Sequence, residues 1–393
     1  MRRRISERKP DYQRPARPPM LGKAAESLVA WFVANRRDLP WRRDSVEELE
    51  NACIREVPVG VPTPRRDPYR TWIAEIMLQQ TQVAAVVDHF NRWMLRFPEL
   101  KVLAKAKESE VLEAWAGLGY YSRARNVLAT ARTVTDELGG RFPWEREELL
   151  RLKGIGEYTA GAIASLAFNL PVPILDGNVT RVFSRVHGLD FLPDSLERKQ
   201  IYWDLARSWA QSHVPASVNE GLMELGALVC LLRGPKCEIC PLTRFCRARI
   251  EKRQSSLPPA KPKKKVTLIE GFALVISNGE KILLHRPVKP GFLAGLLTFP
   301  IVEASDLPGL RKAWNKKHPD FPLQSVRLKN GTITHSITFR RFRLRITESR
   351  IPSSAGGKGL PAEYQWISTG RIDALLVSSL PRKIWKLSAK ASA

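Results

Sequence analysis

Apolar residues recur at three- and four-residue spacing through most of the first 246 positions, the spacing of one face of an α-helix. The stretches AAESLVAWFVANRR, YRTWIAEIMLQQTQVAAVVDHFNRWMLRF, SEVLEAWAGL and NEGLMELGALVCLL show it most clearly. Short breaks with Gly or Pro separate these stretches, and the two-residue alternation typical of strands is missing. The pattern predicts a helical domain over residues 21–250.

Beyond residue 266 the period of the pattern changes. VTLIEGFALVI, SNGE and KILLHR are typical of a strand, a turn and a second strand, and TITHSITFRRFRLRI alternates again. LPGLRKAWNKKH has helical spacing. We therefore predict a smaller α+β domain over residues 267–393. The linker at 251–266 contains SSLPPAKPKKKV, a run of Pro, Ser and Lys with nothing to bury.

Two further segments fit neither domain. Residues 1–20 are rich in Arg and Pro and predict a disordered basic arm. Residues 43–66 interrupt the helical pattern and predict a surface insertion, which carries Cys53. No apolar run approaches the length of a membrane span, and the start lacks an apolar signal core. We expect an intracellular protein, in the cytoplasm and associated with the nucleoid if it is bacterial.

The charge balance points to a polyanionic partner. The chain has 64 Lys and Arg against 39 Asp and Glu, a net charge of +25. Nucleic acid is the usual partner of such a surplus, because each neutralised phosphate releases counterions. The alternative is a pair of solvated basic tails, since residues 1–19 and 247–265 together hold 15 Lys and Arg. Most of the surplus nevertheless lies elsewhere.

Four of the five cysteines follow one another closely, in the stretch CLLRGPKCEICPLTRFC. Four thiolates this close together can enclose a tetrahedral zinc ion or an iron–sulfur cluster. Zinc ribbons usually pair two CxxC knuckles, whereas this stretch has one, so the spacing favours [4Fe–4S] without excluding zinc. The predicted metal ligands are Cys230, Cys237, Cys240 and Cys246.

A glycine pair opens a helical stretch in LKGIGEYTAGAI. Gly154 and Gly156 would leave backbone N–H groups bare at a helix start, where a phosphate oxygen can bind. An ordinary helix–helix turn is the alternative. Downstream, in PVPILDGNVTRV, Asp176 ends an apolar run at the start of the next helix. We expect that the helix dipole keeps this carboxylate ionised.

A third candidate is Glu75, in WIAEIMLQQTQV. It lies among apolar residues, with no basic residue within four positions. A carboxyl group in such surroundings should have a raised pKa and could act as a general acid. The alternative is a surface glutamate on an amphipathic helix.

Together these motifs resemble the adenine DNA glycosylases of the MutY type, in the endonuclease III superfamily of helix–hairpin–helix repair enzymes. The most specific carriers are MLQQTQV and GLGYYSRARN, supported by LPWR, LKGIGEYTAGAI, ILDGNVTRV, NEGLMELGALVC and the cysteine pattern. The resemblance implies a mainly α, two-lobed helix–hairpin–helix core with an iron–sulfur loop, followed by a C-terminal α+β Nudix-like domain. It also implies a [4Fe–4S] cofactor and a monomer that acts on double-stranded DNA containing mispaired adenine.

The resemblance further implies roles for individual residues. Glu75 would protonate adenine N7, Asp176 would stabilise or trap the sugar cation, and Asn178 would position Asp176 or the water. Bifunctional relatives carry a lysine where this chain has Tyr158, so a monofunctional enzyme that leaves an abasic site is expected. The expected substrate and DNA contacts are Trp41, Arg42, Leu78, Gln80, Tyr120, Gly154, Gly156, Glu220, Thr334 and His335.

The C-terminal domain resembles the family module that recognises 8-oxoguanine opposite the adenine. TITHS aligns with a Phe-Ser-His loop, so Ile333, Thr334 and His335 take those places, and Leu297 and Thr298 replace a usual Trp-Glu. The acidic box that holds Mg²⁺ in nucleotide-hydrolysing Nudix domains is missing. The module is therefore expected to read a base. Whether guanine opposite adenine is also accepted stays open.

Two other functions compete with this prediction. One is a pyrimidine-lesion glycosylase/lyase of the endonuclease III kind, which the missing hairpin lysine and the extra domain disfavour. The other is a DNA-binding protein without catalytic activity, in which the metal loop is only a structural staple. The presence of both carboxylates disfavours this second alternative.

Overall fold

The computed structural model leaves parts of the predicted insertion and tails undescribed. The predicted basic arm up to residue 19 and the insertion over 44–64, including Cys53, lie outside the described residues. The described residues are 20–43, 65–260, 265–288, 293–352 and 359–390.

The chain divides into two compact units. The first comprises Met1–Glu108 and Ser122–Lys261, and the second comprises Ser109–Tyr121 and Pro262–Ala393. The division after residue 261 falls inside the predicted linker, while the domain boundaries given above stay predictions. The linker prediction was wrong in one respect, because Leu257 is buried and its carbonyl oxygen accepts a hydrogen bond from Arg185 Nε at 2.8 Å.

The part of the chain before residue 261 is helical, as the apolar spacing predicts. Its α-helices are α1 (Leu21–Asn35), α2 (Pro68–Leu78), α3 (Val83–Arg96), α4 (Leu100–Lys105), α5 (Glu108–Ala114), α6 (Ser122–Asp136), α7 (Arg146–Leu149), α8 (Glu157–Ala162), α9 (Gly177–His187), α10 (Leu196–Ala210), α11 (Pro215–Leu228) and α12 (Arg247–Ile250). Short 3₁₀ turns lie at Pro40–Arg42, Cys237–Ile239 and Thr243–Phe245, and a π-helical turn at Ile163–Ala167 follows α8.

The longest predicted helical stretch is interrupted between α2 and α3. Gln80 has a left-handed backbone with φ of 59°. The guanidinium of Arg123 satisfies the end of α2, because its Nη1 donates to the carbonyl oxygens of Ile76 at 2.6 Å and Gln79 at 2.7 Å. The sequence has neither Gly nor Pro at this point, so the apolar pattern runs on across the break.

One core of the helical unit forms where α1, α9, α10 and α11 pack together. Its large buried side chains include Phe183, Tyr202 and Trp209. A smaller cluster of Ala162, Leu166 and Ile174 lies beside the partly buried Tyr158. These packed helices fix the backbone from which the candidate site residues project.

The second unit contains a mixed sheet. Its strands are β1 (Thr267–Ser277), β2 (Lys281–His285), β3 (Ile301–Val302), β4 (Arg327–Ile337), β5 (Arg340–Arg350) and β6 (Tyr364–Ser368). The strand order is β4-β5-β1-β2-β6, with β3 paired to β1. β1 and β5 run parallel, and the other pairs are antiparallel.

Helices pack on both faces of this sheet. On one face α13 (Leu307–Lys317) buries Leu310 and Trp314 against β1. On the other face α14 (Thr369–Leu375) and α15 (Ser379–Lys390) bury apolar residues against β4 and β5. The helical core and the C-terminal sheet-containing domain are thereby confirmed. Within the described ranges, none of the helices combines the length and the apolar character needed to cross a membrane.

Candidate active site

Glu75 is buried in the middle of α2. The helix starts at an N-cap, Asp67, whose side chain accepts a hydrogen bond from the Tyr69 N–H, and Pro68 takes the first helical position. The Glu75 side chain is 3% exposed, among neighbours such as Trp72. Burial raises the pKa of Glu75 to about 7. The alternative of a surface glutamate is therefore wrong.

Tyr158 contacts Glu75 directly. It lies in the first turn of α8, and its hydroxyl donates to Glu75 Oε2 at 2.6 Å. Donation to the carboxylate lowers the pKa of Glu75 and so opposes part of the effect of burial. Burial also raises the pKa of Tyr158, and the nearby charges of Glu75 and Asp176 raise it further. Because both carboxyl groups act on the same phenol, they share one electrostatic environment.

Asp176 is the N-cap of α9, as the sequence predicts. Its Oδ1 accepts from the Val179 N–H at 2.7 Å, and its Oδ2 accepts from Asn178 Nδ2 at 3.2 Å. We expected this position to favour the ionised form. The pKa of Asp176 is instead raised, because burial outweighs the hydrogen bonds from Val179 and Asn178, which act in the opposite direction.

Asn178 is itself held in place from two sides. Its Oδ1 accepts from Arg181 Nη2 at 2.8 Å, and Arg181 also donates to the carbonyl oxygens of Gly226 and Cys230, each at 2.7 Å. A Cβ on Gly226 would come within 2.6 Å of the Asn178 Cβ. The glycine therefore lets α11 approach the start of α9 and leaves Asn178 little freedom to move.

Close to Glu75 lies a buried network of alternating charges. Glu220, 3% exposed, pairs with Arg42 Nε at 3.0 Å and with Arg66 Nη2 at 2.8 Å. Glu224, one turn further along α11, pairs with Arg42 at 3.0 Å and with Arg37 at 2.7 Å. The charge of Glu220 raises the pKa of Glu75, whereas that of Arg42 lowers it.

Part of this network was not predicted from the sequence. Arg42 and Glu220 were predicted site residues, whereas Arg37, Arg66 and Glu224 were not. The spacing of Glu220 and Glu224 on the otherwise apolar α11 was an available signal, because two carboxylates on one buried helix face need cationic partners. Arg66 offered no such signal, since it lies at the edge of the irregular insertion.

The hairpin glycines serve a tight turn before α8. Gly154 has φ of 80°, and a Cβ there would lie 2.7 Å from the Asn126 side chain. Gly156 is the N-cap residue of α8. The Ile155 N–H between them donates to Leu152 O at 3.2 Å, as in an ordinary turn. A cavity of about 110 Å³ beside this turn is lined by Gln79, Arg123, Asn126 and Lys153, among others.

The remaining predicted contacts of the helical part differ in exposure. Trp41 is buried, with its ring edge-on to Phe90 at 5.4 Å between centroids. Leu78 is half-buried and lies three positions after Glu75, so the two side chains lie on neighbouring parts of the α2 surface. Gln80 and Tyr120 are exposed, and both have positive φ, of 59° and 45°.

The four predicted metal ligands line one cavity, together with Arg185 and Leu242. Arg185 Nη1 donates to Cys230 Sγ at 3.3 Å. Burial raises the pKa values of the Cys237, Cys240 and Cys246 thiols, and the charge of Cys230 raises them further. Among the described residues, no three His, Cys, Asp or Glu side chains are grouped so that they could hold a metal ion. Four thiol donors around one cavity are nevertheless a donor set that both zinc ions and iron–sulfur clusters use.

In the second unit, Thr334 and His335 do not come together on one face of the sheet. Both lie in β4, where successive side chains point to opposite faces. Thr334 is exposed opposite Arg343, whereas His335 is half-buried opposite Phe342, with its Nε2 at 3.4 Å from Ser379 Oγ of α15. Ile333 is buried in the core beneath α14 and α15, and Leu297 and Thr298 are also buried.

Known proteins that are similar to this chain include DNA repair enzymes. Residues 73–208 match the family model of the HhH-GPD superfamily of base excision DNA repair proteins. Among solved structures, a thermostable thymine-DNA glycosylase is 26% identical, with a TM-score of 0.48, and the match covers 59% of this chain and 97% of that one.

Curated relatives narrow the class further. The adenine DNA glycosylase of Homo sapiens is 32% identical over 92% of this chain and 73% of its own length. The adenine DNA glycosylase of Mus musculus is 42% identical over 60% of this chain and 44% of its own length. The chain therefore belongs to the adenine DNA glycosylases, base-excision repair enzymes of the helix–hairpin–helix superfamily.

Proposed function

We propose that this glycosylase hydrolyses the N-glycosidic bond of adenine mispaired with 8-oxoguanine and leaves an abasic site without cutting the strand. The observation that carries the proposal is the cluster of Glu75, Tyr158 and Asp176. A buried acid, a phenol bonded to it and a second carboxylate at a helix start share one environment. This is the arrangement of a two-carboxylate glycosidase, in which the two carboxyl groups take different roles.

Glu75 is the general acid. With a pKa near 7 it retains its proton in much of the population at neutral pH. Adenine reaches this acid only after it has been turned out of the base stack. Protonation at adenine N7 then makes the base a better leaving group.

Asp176 stabilises the positive charge that develops on the sugar, or traps the sugar covalently before water completes hydrolysis. Its two oxygens already accept hydrogen bonds from Val179 N–H and Asn178 Nδ2, and such donors favour the ionised form. Asn178, which is anchored by Arg181, holds this carboxylate in one orientation or positions the attacking water.

Tyr158 makes the enzyme monofunctional. A phenol cannot form the Schiff base with the sugar through which a lysine at this position would lead to strand cleavage. Its hydroxyl instead donates to Glu75 at 2.6 Å. The pyrimidine-lesion glycosylase/lyase alternative lacks its nucleophile at this position.

The rest of the site holds the DNA. We assign the pocket for the extruded adenine to Trp41, Arg42, Leu78 and Glu220. Gln80 and Tyr120 are exposed residues suited to entering the base stack of a kinked duplex. The turn at Gly154 and Gly156 would receive a phosphate of the backbone. The enzyme would work as a monomer, since this scheme uses residues of a single chain.

We further propose that Cys230, Cys237, Cys240 and Cys246 hold a [4Fe–4S] cluster. When bound, the cluster would tie together the basic loop from Cys230 to Cys246. Arg185 donates to Cys230 Sγ and to the carbonyl oxygens of Leu231 and Leu232, so it orients the first of these thiols. The fold does not require the cluster to take part in the hydrolysis.

The second unit supplies the recognition of 8-oxoguanine, as a Nudix-like module without hydrolytic activity. Of the two residues assigned to this task from the sequence, Thr334 presents an exposed hydroxyl, whereas His335 lies on the opposite sheet face beside Ser379. A hydroxyl can donate to or accept from the edge of an oxidised base.

Incubation with a duplex that contains one adenine opposite 8-oxoguanine tests the proposal. We expect free adenine and an intact strand that breaks only after hot alkali. Glu75→Gln should lower the single-turnover rate by about 10²–10⁴-fold, because a general acid typically contributes that factor. No break after alkali would refute the proposal, and a break without alkali would indicate a lyase. A rate unchanged in Glu75→Gln would remove Glu75 from the mechanism.

A further inference from the structure

One face of the sheet in the second unit is covered along only part of its length. The side chains of Leu274 and Ile276, in the second half of β1, are buried against Leu310 and Trp314 of α13. Along the first half of β1, Leu268 is 53% exposed. The same sheet face therefore continues beyond the helix as a surface open to solvent.

The open part of this face has a regular composition. Strand register places β4 residues opposite β5 residues, and each pair joins a hydroxyl to an arginine: Thr332 to Arg345, Thr334 to Arg343, and Ser336 to Arg341. Paired residues on neighbouring strands lie side by side on one face. We call these six residues the hydroxyl–arginine face.

Most of these side chains extend into solvent. The three hydroxyl residues, Arg341 and Arg343 are exposed, and Arg345 is partly exposed above the Phe272 ring, at 4.2 Å from its centroid. On the described strands of this face the acidic residue is Glu270, whose carboxylate lies 3.3 Å from Arg343 Nη1, and Arg345 also donates to the carbonyl oxygen of Ser305. Three arginines against one glutamate leave a positive surface.

The opposite face is closed. The β4 and β5 residues of the other parity, including Ile333, Phe342 and Leu344, are buried beneath α14 and α15. Along the edge strand β4, side chains therefore alternate between the core and solvent. An antiparallel pair of strands commonly has one polar face in solvent, and here that face carries a row of hydroxyls beside a row of arginines.

We propose that the hydroxyl–arginine face binds the phosphate backbone of the duplex on which the enzyme acts. Arginine guanidinium groups and Ser or Thr hydroxyls are the side chains that most often contact phosphate and sugar. Side chains two residues apart on a strand lie roughly 7 Å apart, so the row can meet successive phosphates. The inference rests on the proposed function and extends it to a second DNA contact.

Thr334 and His335 would then have separate roles, because they lie on opposite faces of the sheet. Thr334 belongs to the hydroxyl–arginine face and comes to the DNA with Arg343. His335 points into the opposite side of the sheet, where its Nε2 lies at 3.4 Å from Ser379 Oγ. If β4 takes part in recognising the lesion, it does so through the face that carries Thr334.

The salt dependence of binding by the full chain tests the proposal. The probe is a duplex in which a 2′-fluoro deoxyadenosine, which resists hydrolysis, lies opposite 8-oxoguanine. The variant Arg341→Gln/Arg343→Gln should reduce the slope of log Kd against log salt by about 2, since each lost phosphate contact removes roughly 0.9. The matched control is Arg311→Gln/Lys312→Gln on exposed positions of α13, which removes the same charge from the same unit.

We expect the slope of the control to equal that of the wild type. An unchanged slope in Arg341→Gln/Arg343→Gln, or an equal reduction in both variants, would overturn the inference, because only the net charge would then matter. Adenine release by the wild type from the unmodified duplex is measured in parallel. Its absence would refute the proposed function, whereas release with an unchanged slope would refute the inference alone.

Discussion

At the scale of single residues, the chemistry depends on how burial and hydrogen bonding act on one carboxyl group. Burial in α2 raises the pKa of Glu75 to about 7, and the Tyr158 hydroxyl and the Arg42 charge both oppose that rise. The folded state therefore retains a proton that the unfolded chain loses above its ordinary pKa of 4.5. The contribution of Glu75 to the free energy of unfolding therefore falls as pH rises from about 4.5 towards 7.

Tyr158→Lys should turn the enzyme into a glycosylase with lyase activity. The amine would replace a hydroxyl that lies 2.6 Å from Glu75 Oε2 and whose pKa is also raised by the charge of Asp176. Sodium borohydride should then trap a covalent protein–DNA adduct, which the wild type should not form. Tyr158→Phe is the control without an amine. Failure of the lysine variant to form an adduct while it still releases adenine would place residue 158 away from the sugar.

Among the residues of the site, those within recognisable motifs could be predicted from the sequence. Glu75, Tyr158 and Asp176 were identified from their neighbours and from resemblance, and the structure places them in one environment. The raised pKa of Asp176 was not foreseen, because the local sequence shows the helix start but not the packing that buries it. The role of Arg66 in the buried ion pair could not be predicted, because its partner Glu220 lies 154 positions away in the chain.

At the scale of elements, α2 depends on contacts that close its two ends. Asp67 caps its start, and Arg123 of α6 satisfies carbonyl oxygens at its end. Apolar spacing predicted the helix but not where it stops, because the stop is made by an arginine distant in sequence. In the same way, alternation predicted β4 and β5 but could not show which half of the sheet face α13 leaves open.

Arg66→Met should destabilise the helical unit by about 2 kcal/mol, because the buried Glu220 carboxylate loses one of its two cationic partners. Glu220 would keep Arg42, 3.0 Å away, as its remaining partner. Denaturant unfolding followed by far-UV circular dichroism measures the change. Arg43→Met is the control, since Arg43 and Asp38 form an ion pair in which both side chains are mostly exposed. Equal stability of the two variants would show that the Arg66 pair contributes no more than a surface pair.

At the scale of the whole molecule, the change in apolar spacing along the sequence predicted a helical part followed by a sheet-containing part. The structure has both parts. The linker was harder to predict. Its Pro and Lys content suggested a segment with nothing to bury, yet Leu257 packs into the helical unit and its carbonyl oxygen accepts from Arg185. A single apolar residue in a polar run has no periodicity, so its burial cannot be predicted from the pattern.

Cys240→Ser should abolish the visible absorbance of the purified protein and lower its thermal stability, because one of four thiols would be lost from the cavity at the loop. Visible absorbance and iron content measure the first effect, and a thermal melt measures the second. Cys53→Ser is the matched control, since Cys53 is outside the CLLRGPKCEICPLTRFC stretch. Equal absorbance in both variants would contradict the assignment of the four cysteines.

The pH dependence of adenine release tests most directly whether a protonated Glu75 drives the reaction. We expect the single-turnover rate of the wild type to fall as pH rises through about 7, the pKa of Glu75. Tyr158→Phe removes a hydrogen bond to the carboxylate, which raises the pKa of Glu75, so this descending limb should move to higher pH. A limb that stays at the same pH in Tyr158→Phe, or a wild-type rate that does not fall above pH 7, would contradict the account.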